Sequence, residues 1–112
     1  MRVSQRGRSV TIGVDVTNTG RRAGADVVQV YVGFPASTSE PPEQLKGFRK
    51  VQLAPGETRH LTFSLDARAF AHWDDVTRGW VVSAGDYRIG VGDASDSLPL
   101  GATVQPRPGR VR

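Results

Sequence analysis

An alternation of apolar and polar residues along this chain constrains its fold more than any other feature. Every second residue from Val10 to Val16 is Val or Ile, and Val28, Val30 and Val32 repeat the pattern after the turn Asn18-Thr19-Gly20. A period of two is typical of strands that bury one face and expose the other. The pattern recurs towards the end of the chain, which predicts an all-β sandwich.

Turn-forming residues divide the chain into seven predicted strands, about one in every ten residues. Seven such strands are typical of an immunoglobulin/fibronectin type III-like sandwich of about seven antiparallel strands. Phe48 and Val51 are three residues apart, which predicts a bulge near Arg49 and Lys50. Pro55-Gly56 predicts a type II turn. The predicted strands are 9–17, 26–33, 45–53, a strand carrying Leu61, Phe63 and Leu65, 80–83, 87–91 and 98–104.

The segments between these strands are predicted to be loops. Residues 34–44 form the longest loop and contain three prolines, which cannot donate to a sheet. A long polar loop is a common place for contact with a partner. Residues 66–78 are predicted to be irregular, with one short helical turn near residues 67–70.

Length and composition limit the class of protein. The chain has 112 residues, which fits one domain, and it contains no cysteine, which excludes disulfides and thiolate metal sites. It has no run of about 20 apolar residues that could span a membrane, and its first residues lack the apolar core of a signal peptide. A cytoplasmic protein and a secreted bacterial protein without disulfides both fit, so the compartment stays open.

The basic residues are distributed in a way that argues against nucleic-acid binding. Six arginines lie in residues 1–8 and 105–112, and the remaining nine basic residues are outnumbered by eleven acidic ones. Nucleic-acid binding requires basic residues clustered on one face. We therefore expect a basic N-terminal tail at 1–8, a sandwich at 9–104 and a disordered basic tail at 105–112, with no nucleic-acid or membrane partner.

Seven short blocks, in this order and spacing, resemble a known family. The chain resembles the fibronectin type III-like domain at the C-terminal end of many family 3 glycoside hydrolases, the β-glucosidase and β-xylosidase group. The blocks are Val-Thr-Asn-Thr-Gly at 16–20, Asp-Val-Val-Gln-Val-Tyr-Val at 26–32, Gln-Leu-Lys-Gly-Phe-Arg-Lys-Val at 44–51, Leu-Ala-Pro-Gly-Glu at 53–57, Phe-Ala-His-Trp-Asp at 70–74, Gly-Trp-Val-Val at 79–82 and Gly-Asp-Tyr-Arg-Ile-Gly-Val-Gly at 85–92.

The resemblance implies an accessory domain with no catalytic residues and no cofactor. Its implied partners are the catalytic domains of a family 3 glycosidase, in the same or a separate chain, with a homodimer as a further expectation. We also expect a bacterial source. The docking surface expected from the resemblance and from outward-facing residues consists of Tyr31, Glu40, Leu45, Lys46 and Phe48.

The carboxylates and histidines that could take part in catalysis or bind a metal ion have simpler structural interpretations. Glycoside hydrolysis needs two carboxylates across a sugar ring, but Asp74 and Asp75 are adjacent, and Asp74 is predicted to hydrogen-bond the turn around Trp73. Asp93, Ser95 and Asp96 lack the acidic density of a calcium loop. The two histidines, His60 and His72, have no further ligands nearby in the sequence.

Four aromatic residues leave a carbohydrate-binding alternative open. Sugars can stack on exposed aromatic rings, and Trp73 and Tyr31 are the expected stacking residues. Tyr87 shares a face with Ile89 and Val91, so we expect it in the core, and we expect Trp80 to pack between the sheets. The alternatives to an accessory domain are a free-standing carbohydrate-binding or protein-interaction module, and a fragment without activity of its own.

Overall fold

The computed structural model describes residues 1–35, 38, 43–92 and 100–111. In these ranges the chain forms ten strands and one short 3-10 helix, Ala67–Phe70, and every strand pairing is antiparallel. The strands are β1 (Arg2–Arg6), β2 (Ser9–Thr17), β3 (Gly24–Gly33), β4 (Gln44–Leu53), β5 (Thr58–Leu65), β6 (His72–Asp74), β7 (Gly79–Val82), β8 (Tyr87–Gly92), β9 (Leu100–Val104) and β10 (Gly109–Val111).

The strands form three sheets around one core. The sheets have the orders β1-β2-β5, β4-β3-β8-β9 and β10-β7-β6. The residues that alternate inward from β2, β3, β5 and β8 are buried together in one hydrophobic cluster, so the predicted sandwich is confirmed. Alternation gave the correct buried face in each of these strands because one side of each sheet is dry and the other faces solvent.

Tyr87 lies at the centre of an aromatic cluster in this core. Its ring is fully buried and meets Phe34 and Phe70 edge to face, each with a centroid separation of 5.5 Å. The Tyr87 hydroxyl donates a hydrogen bond of 2.8 Å to the carbonyl of Ser83. Burial raises the pKa of the Tyr87 phenol above its ordinary value, and the hydrogen bond to Ser83 partly opposes this rise.

Asn18 joins two turns at one end of the sandwich. Its side-chain amide donates to the carbonyls of Arg22 (2.9 Å) and Leu53 (3.0 Å), and its Oδ1 accepts from the Gly20 amide (2.8 Å). Its backbone also pairs with Glu57 and Gly56. Asn18 therefore connects the β2–β3 loop to the β4–β5 turn.

The β4–β5 turn has the predicted form. Gly56 has a φ of 77°, and the Glu57 amide donates to the carbonyl of Ala54 at 3.0 Å. The Glu57 carboxylate in turn accepts from the Ala54 amide at 2.8 Å and from Arg59 at 3.0 Å. Both hydrogen bonds lower the pKa of Glu57 below its ordinary value, and the bond from the Ala54 amide has the larger effect.

The bulge expected near Arg49 and Lys50 is wrong in position. Val30 pairs with Gly47 and Tyr31 pairs with Leu45, so the extra residue of β4 is Lys46. A Cβ on Gly47 would lie 3.4 Å from the Phe63 ring, which shows that Gly47 faces the core. Phe48 therefore points outwards, and its spacing from Val51 needed no irregularity.

The two expected tails contain strands. Arg2–Arg6 pairs with β2, and Gly109–Val111 pairs with β7. The Gln5 side chain exchanges two hydrogen bonds with the Gln105 backbone, and the Arg8 guanidinium donates to the carbonyls of Pro108 and Arg110. Their polar, arginine-rich composition concealed these strands, because each carries only one apolar residue that packs against the core, Val3 in β1 and Val111 in β10. Strand β6 likewise lies within a segment that was expected to be irregular.

Candidate functional site

Three of the predicted docking residues lie together on the outer side of the four-stranded sheet. Tyr31 pairs directly with Leu45, and Phe48 pairs with Gln29, two residues from Tyr31 on the same face. The Tyr31 hydroxyl donates to Gln29 Oε1 at 3.0 Å, so the ring leans along its own strand. Phe48 is 69% exposed and Leu45 is 47% exposed. We call Tyr31, Leu45 and Phe48 the docking face.

The two other predicted docking residues do not join this group. The Lys46 ammonium lies 5.5 Å from the centroid of the Phe34 ring, which packs against the core. The β4 bulge causes this, because it turns Lys46 out of the alternation that its neighbours follow. Glu40, and with it most of the 34–44 loop, lies outside the described residues, as do Asp93, Ser95 and Asp96.

A shallow trough lies beside Tyr31 on the same outer side. Tyr31 pairs with Gly90, which pairs with Gly101, so two neighbouring strands carry no side chain there. The trough has a volume of about 320 Å³. We call it the glycine trough, and its lining includes Tyr31, Glu43, Arg88, Gly90, Gly101 and Thr103. The sequence contained a signal for it, namely glycines at strand positions, which the apolar alternation obscured.

The second exposed aromatic group is on the β6–β7 hairpin. Trp73 and Trp80 are direct cross-strand partners, with ring centroids 5.8 Å apart and planes at 78°. Trp80 is 53% exposed and Trp73 is 49% exposed, so the expectation that Trp80 packs between the sheets is wrong. Trp80 lies two residues before Val82, which is the one fully buried residue of β7. We call Trp73 and Trp80 the tryptophan pair.

Asp74 and Asp75 organise this hairpin. Asp74 accepts hydrogen bonds from the Val76 amide and the Thr77 hydroxyl, which confirms its predicted role in the turn. Asp75 accepts from Trp73 Nε1 at 3.0 Å and so fixes the indole orientation. Tyr31 lies on a different sheet from Trp73, so the partner of Trp73 in this structure is Trp80.

Replacing Trp80 with alanine should lower the free energy of unfolding modestly. Edge-to-face aromatic pairs contribute about 0.5–1.5 kcal/mol beyond the area that they bury. Urea unfolding followed by circular dichroism measures the loss, and Trp73 fluorescence should shift to the red. A loss above about 3 kcal/mol would mean that the indole belongs to the core after all.

The described residues offer neither a metal cluster nor a membrane-spanning helix. No three His, Asp or Glu side chains among them are grouped so that they could hold a metal ion. The exposed His60 pairs with Asp15 across β2 and β5, at 2.8 Å between Nδ1 and Oδ1. Within these same ranges, no helix has the length and apolar character needed to cross a membrane.

The antiparallel sheets that share one core define an immunoglobulin-like β-sandwich module. A family model for the fibronectin type III-like domain matches residues 26–95. The chain belongs to this family.

The three relatives compared below, each of which contains a region similar to this chain, are β-glucosidases. The chain is 47% identical over 95 residues to the probable beta-glucosidase G of Emericella nidulans, covering 83% of this chain and 12% of that protein. It superposes on a GH3 beta-glucosidase of Bifidobacterium adolescentis with a TM-score of 0.92 at 39% identity, over 96% of this chain and 16% of that one. The beta-glucosidase 3B of Thermotoga neapolitana gives a TM-score of 0.90 at 32% identity, over 99% and 16% of the two chains.

These matches cover a small part of much longer relatives. It spans 12% of the length of the curated relative and 16% of each of the two solved structures. The relatives come from fungi and bacteria, so the expectation of a bacterial source is not supported.

Proposed function

We propose that this chain is the non-catalytic accessory domain of a β-glucosidase-like family 3 glycoside hydrolase. The observation that carries the proposal is the match of nearly the whole sandwich to a small part of several β-glucosidases. The rest of such an enzyme supplies the groups that cleave the glycosidic bond. This domain's contribution is to pack against that part and stabilise it.

The docking face is the surface proposed for this packing. Phe48 and Leu45 are large apolar side chains held largely in solvent by a rigid sheet. Fully burying such a side chain contributes about 1.5–3 kcal/mol, and aromatic anchors of this kind carry much of the energy of protein interfaces. A neighbouring domain that covers Phe48 and Leu45 would therefore gain stability without any change in the sandwich.

A chimera tests the docking face. The matching region of the Bifidobacterium adolescentis beta-glucosidase is replaced by this chain, and hydrolysis of an aryl β-glucoside is followed after heating. The chimera with the double substitution Phe48→Glu and Leu45→Glu should lose activity at a lower temperature than the parent chimera, because two charges then face the neighbouring domain. The isolated double variant should melt like the isolated parent, because both side chains are exposed.

Val76→Glu is the matched control for this experiment. Val76 is 91% exposed on the β6–β7 hairpin, away from the docking face, and its replacement should leave the chimera unchanged. Equal heat inactivation of the double variant and the parent chimera would contradict docking through Phe48 and Leu45. Release of aglycone by the isolated chain would contradict the non-catalytic assignment itself.

A further inference from the structure

Among the residues that the structure describes, nothing in the fold requires glycine at position 101 of the trough. Glycine inside a strand is destabilising relative to alanine, so it usually has a local reason. The described glycines with positive φ are Gly7, Gly56, Gly85 and Gly109, and neither Gly90 nor Gly101 is among them. Their backbone conformation is therefore open to any residue.

Steric crowding does not explain Gly101 either. Among the described residues, a Cβ at Gly101 would have one neighbour within 4 Å, the carbonyl oxygen of Ile89 at 3.6 Å, which is an ordinary contact. Gly109 shows the opposite case, because the Arg8 guanidinium occupies the space that its Cβ would need. Glycine inside a strand often marks a bulge, a tight bend or a close approach of a ligand or another backbone. The pairing of β8 with β9 runs through Gly101 without a shift in register, so a bulge is not the reason and a close approach fits the position.

The side chains at the rim of the trough indicate what kind of molecule could bind there. Arg88 supplies donors, Glu43 supplies acceptors, and the Thr103 hydroxyl can do both. The Tyr31 hydroxyl already donates to Gln29 and retains lone pairs that can accept. The opposite charges of Arg88 and Glu43 oppose the binding of a strongly anionic or strongly cationic ligand. A neutral ligand with several hydroxyl groups can form hydrogen bonds with both side chains.

We propose that the glycine trough binds one pyranose unit of a neutral carbohydrate. The apolar C–H face of a sugar ring can lie on the bare backbone of Gly90 and Gly101 beside Tyr31, while its hydroxyls reach Arg88 and Glu43. The volume of about 320 Å³ lies at the small end of ligand-binding pockets, which fits a single ring. Leu45 lies on the other side of Tyr31, so the docking face and the trough are neighbouring surfaces.

Titration by nuclear magnetic resonance tests this site on the isolated chain. Methyl β-D-glucoside and cellobiose are added to the ¹⁵N-labelled protein, and we expect saturable shifts of the amides of Tyr31, Gly90 and Gly101. Gly101→Val should weaken this binding at least tenfold because its side chain fills the trough. The variant should melt at or above the parent temperature because valine favours a strand.

Gly24→Val is the matched control. Gly24 begins β3 and pairs with Leu53, and a Cβ at this position would meet none of the described residues within 4 Å, so its replacement should leave sugar binding unchanged. Arg88→Ala provides a second variant on the exposed rim and should also weaken binding at least tenfold. Inorganic phosphate should cause no saturable shift at the trough.

Three results of the sugar titrations would overturn the proposal. They are the absence of saturable shifts with either sugar, shifts confined to the tryptophan pair, and unchanged binding by both Gly101→Val and Arg88→Ala. Tighter binding of phosphate than of either sugar would also overturn it, because the ligand would then be an anion. These results are independent of the chimera experiment, which measures heat inactivation of an enzyme and does not probe the trough.

Discussion

Tyr87→Ala should lower the free energy of unfolding by about 3–5 kcal/mol, the cost of removing a buried aromatic side chain. The ring fills the space between Phe34 and Phe70, so its loss leaves a cavity bordered by two aromatic rings. A domain of this size has a total stability of about 5–15 kcal/mol, so the substitution should remove a large share of it and clearly lower the melting temperature. Urea unfolding followed by circular dichroism measures the loss.

Tyr87→Phe separates the ring from the hydroxyl. It keeps the packing but removes the hydrogen bond to Ser83, and a loss of about 1 kcal/mol is expected. Burial raises the pKa of Tyr87 in the folded state, so the folded protein favours the neutral phenol. The stability that the neutral phenol contributes is constant at lower pH and is lost as pH rises above the ordinary tyrosine pKa of about 10. The parent should therefore lose melting temperature above pH 10 more steeply than Tyr87→Phe. Parallel alkaline curves would contradict this assignment.

Asn18→Ala should lower the free energy of unfolding by about 1.5–4.5 kcal/mol, the sum of three side-chain hydrogen bonds at about 0.5–1.5 kcal/mol each. The substitution leaves the carbonyls of Arg22 and Leu53 and the amide of Gly20 without their partner. Thermal unfolding measures the loss. The effect should be large for a residue in a loop, because Asn18 is the link between two turns.

Two further substitutions define this role of Asn18. Asn18→Asp should cost at least as much as alanine, because a carboxylate cannot donate and would face two carbonyl oxygens. Thr17→Val, next to it, removes one hydroxyl contact with Thr58 on the exposed side and should cost less than about 1 kcal/mol. An Asn18→Ala variant as stable as Thr17→Val would show that water replaces these hydrogen bonds without loss.

The core could be predicted from sequence wherever one face of a strand is dry. The odd-numbered residues Tyr87, Ile89 and Val91 are all buried, as alternation predicts. The turn at Pro55-Gly56 was equally predictable, because its positive φ admits few residues other than glycine. The 3-10 helix at Ala67–Phe70 also falls where the sequence placed it, with the Asp66 carboxylate accepting from the Arg68 amide.

The exposed aromatic residues could not be placed in this way. Hydrophobicity alone puts Phe48 and Trp80 in the core, yet both are exposed, Phe48 because its strand parity is opposite to that of the buried Val51, and Trp80 although it shares its parity with the buried Val82. The strands at the chain ends were not predicted, because each carries a single apolar residue that packs against the core, Val3 in β1 and Val111 in β10. The grouping of Tyr31, Leu45 and Phe48 on one outer face was partly predictable, but the trough depends on which glycines become neighbours across strands, which the one-dimensional order does not show.

The contacts between residues 5–8 and 105–110 give the domain a mechanical property. The Gln5 and Arg8 side chains hold backbone atoms that are about a hundred positions away along the chain, at one common site. A force that pulled the two ends of the chain apart would therefore act on these hydrogen bonds as well as on the pairings of β1 with β2 and of β10 with β7.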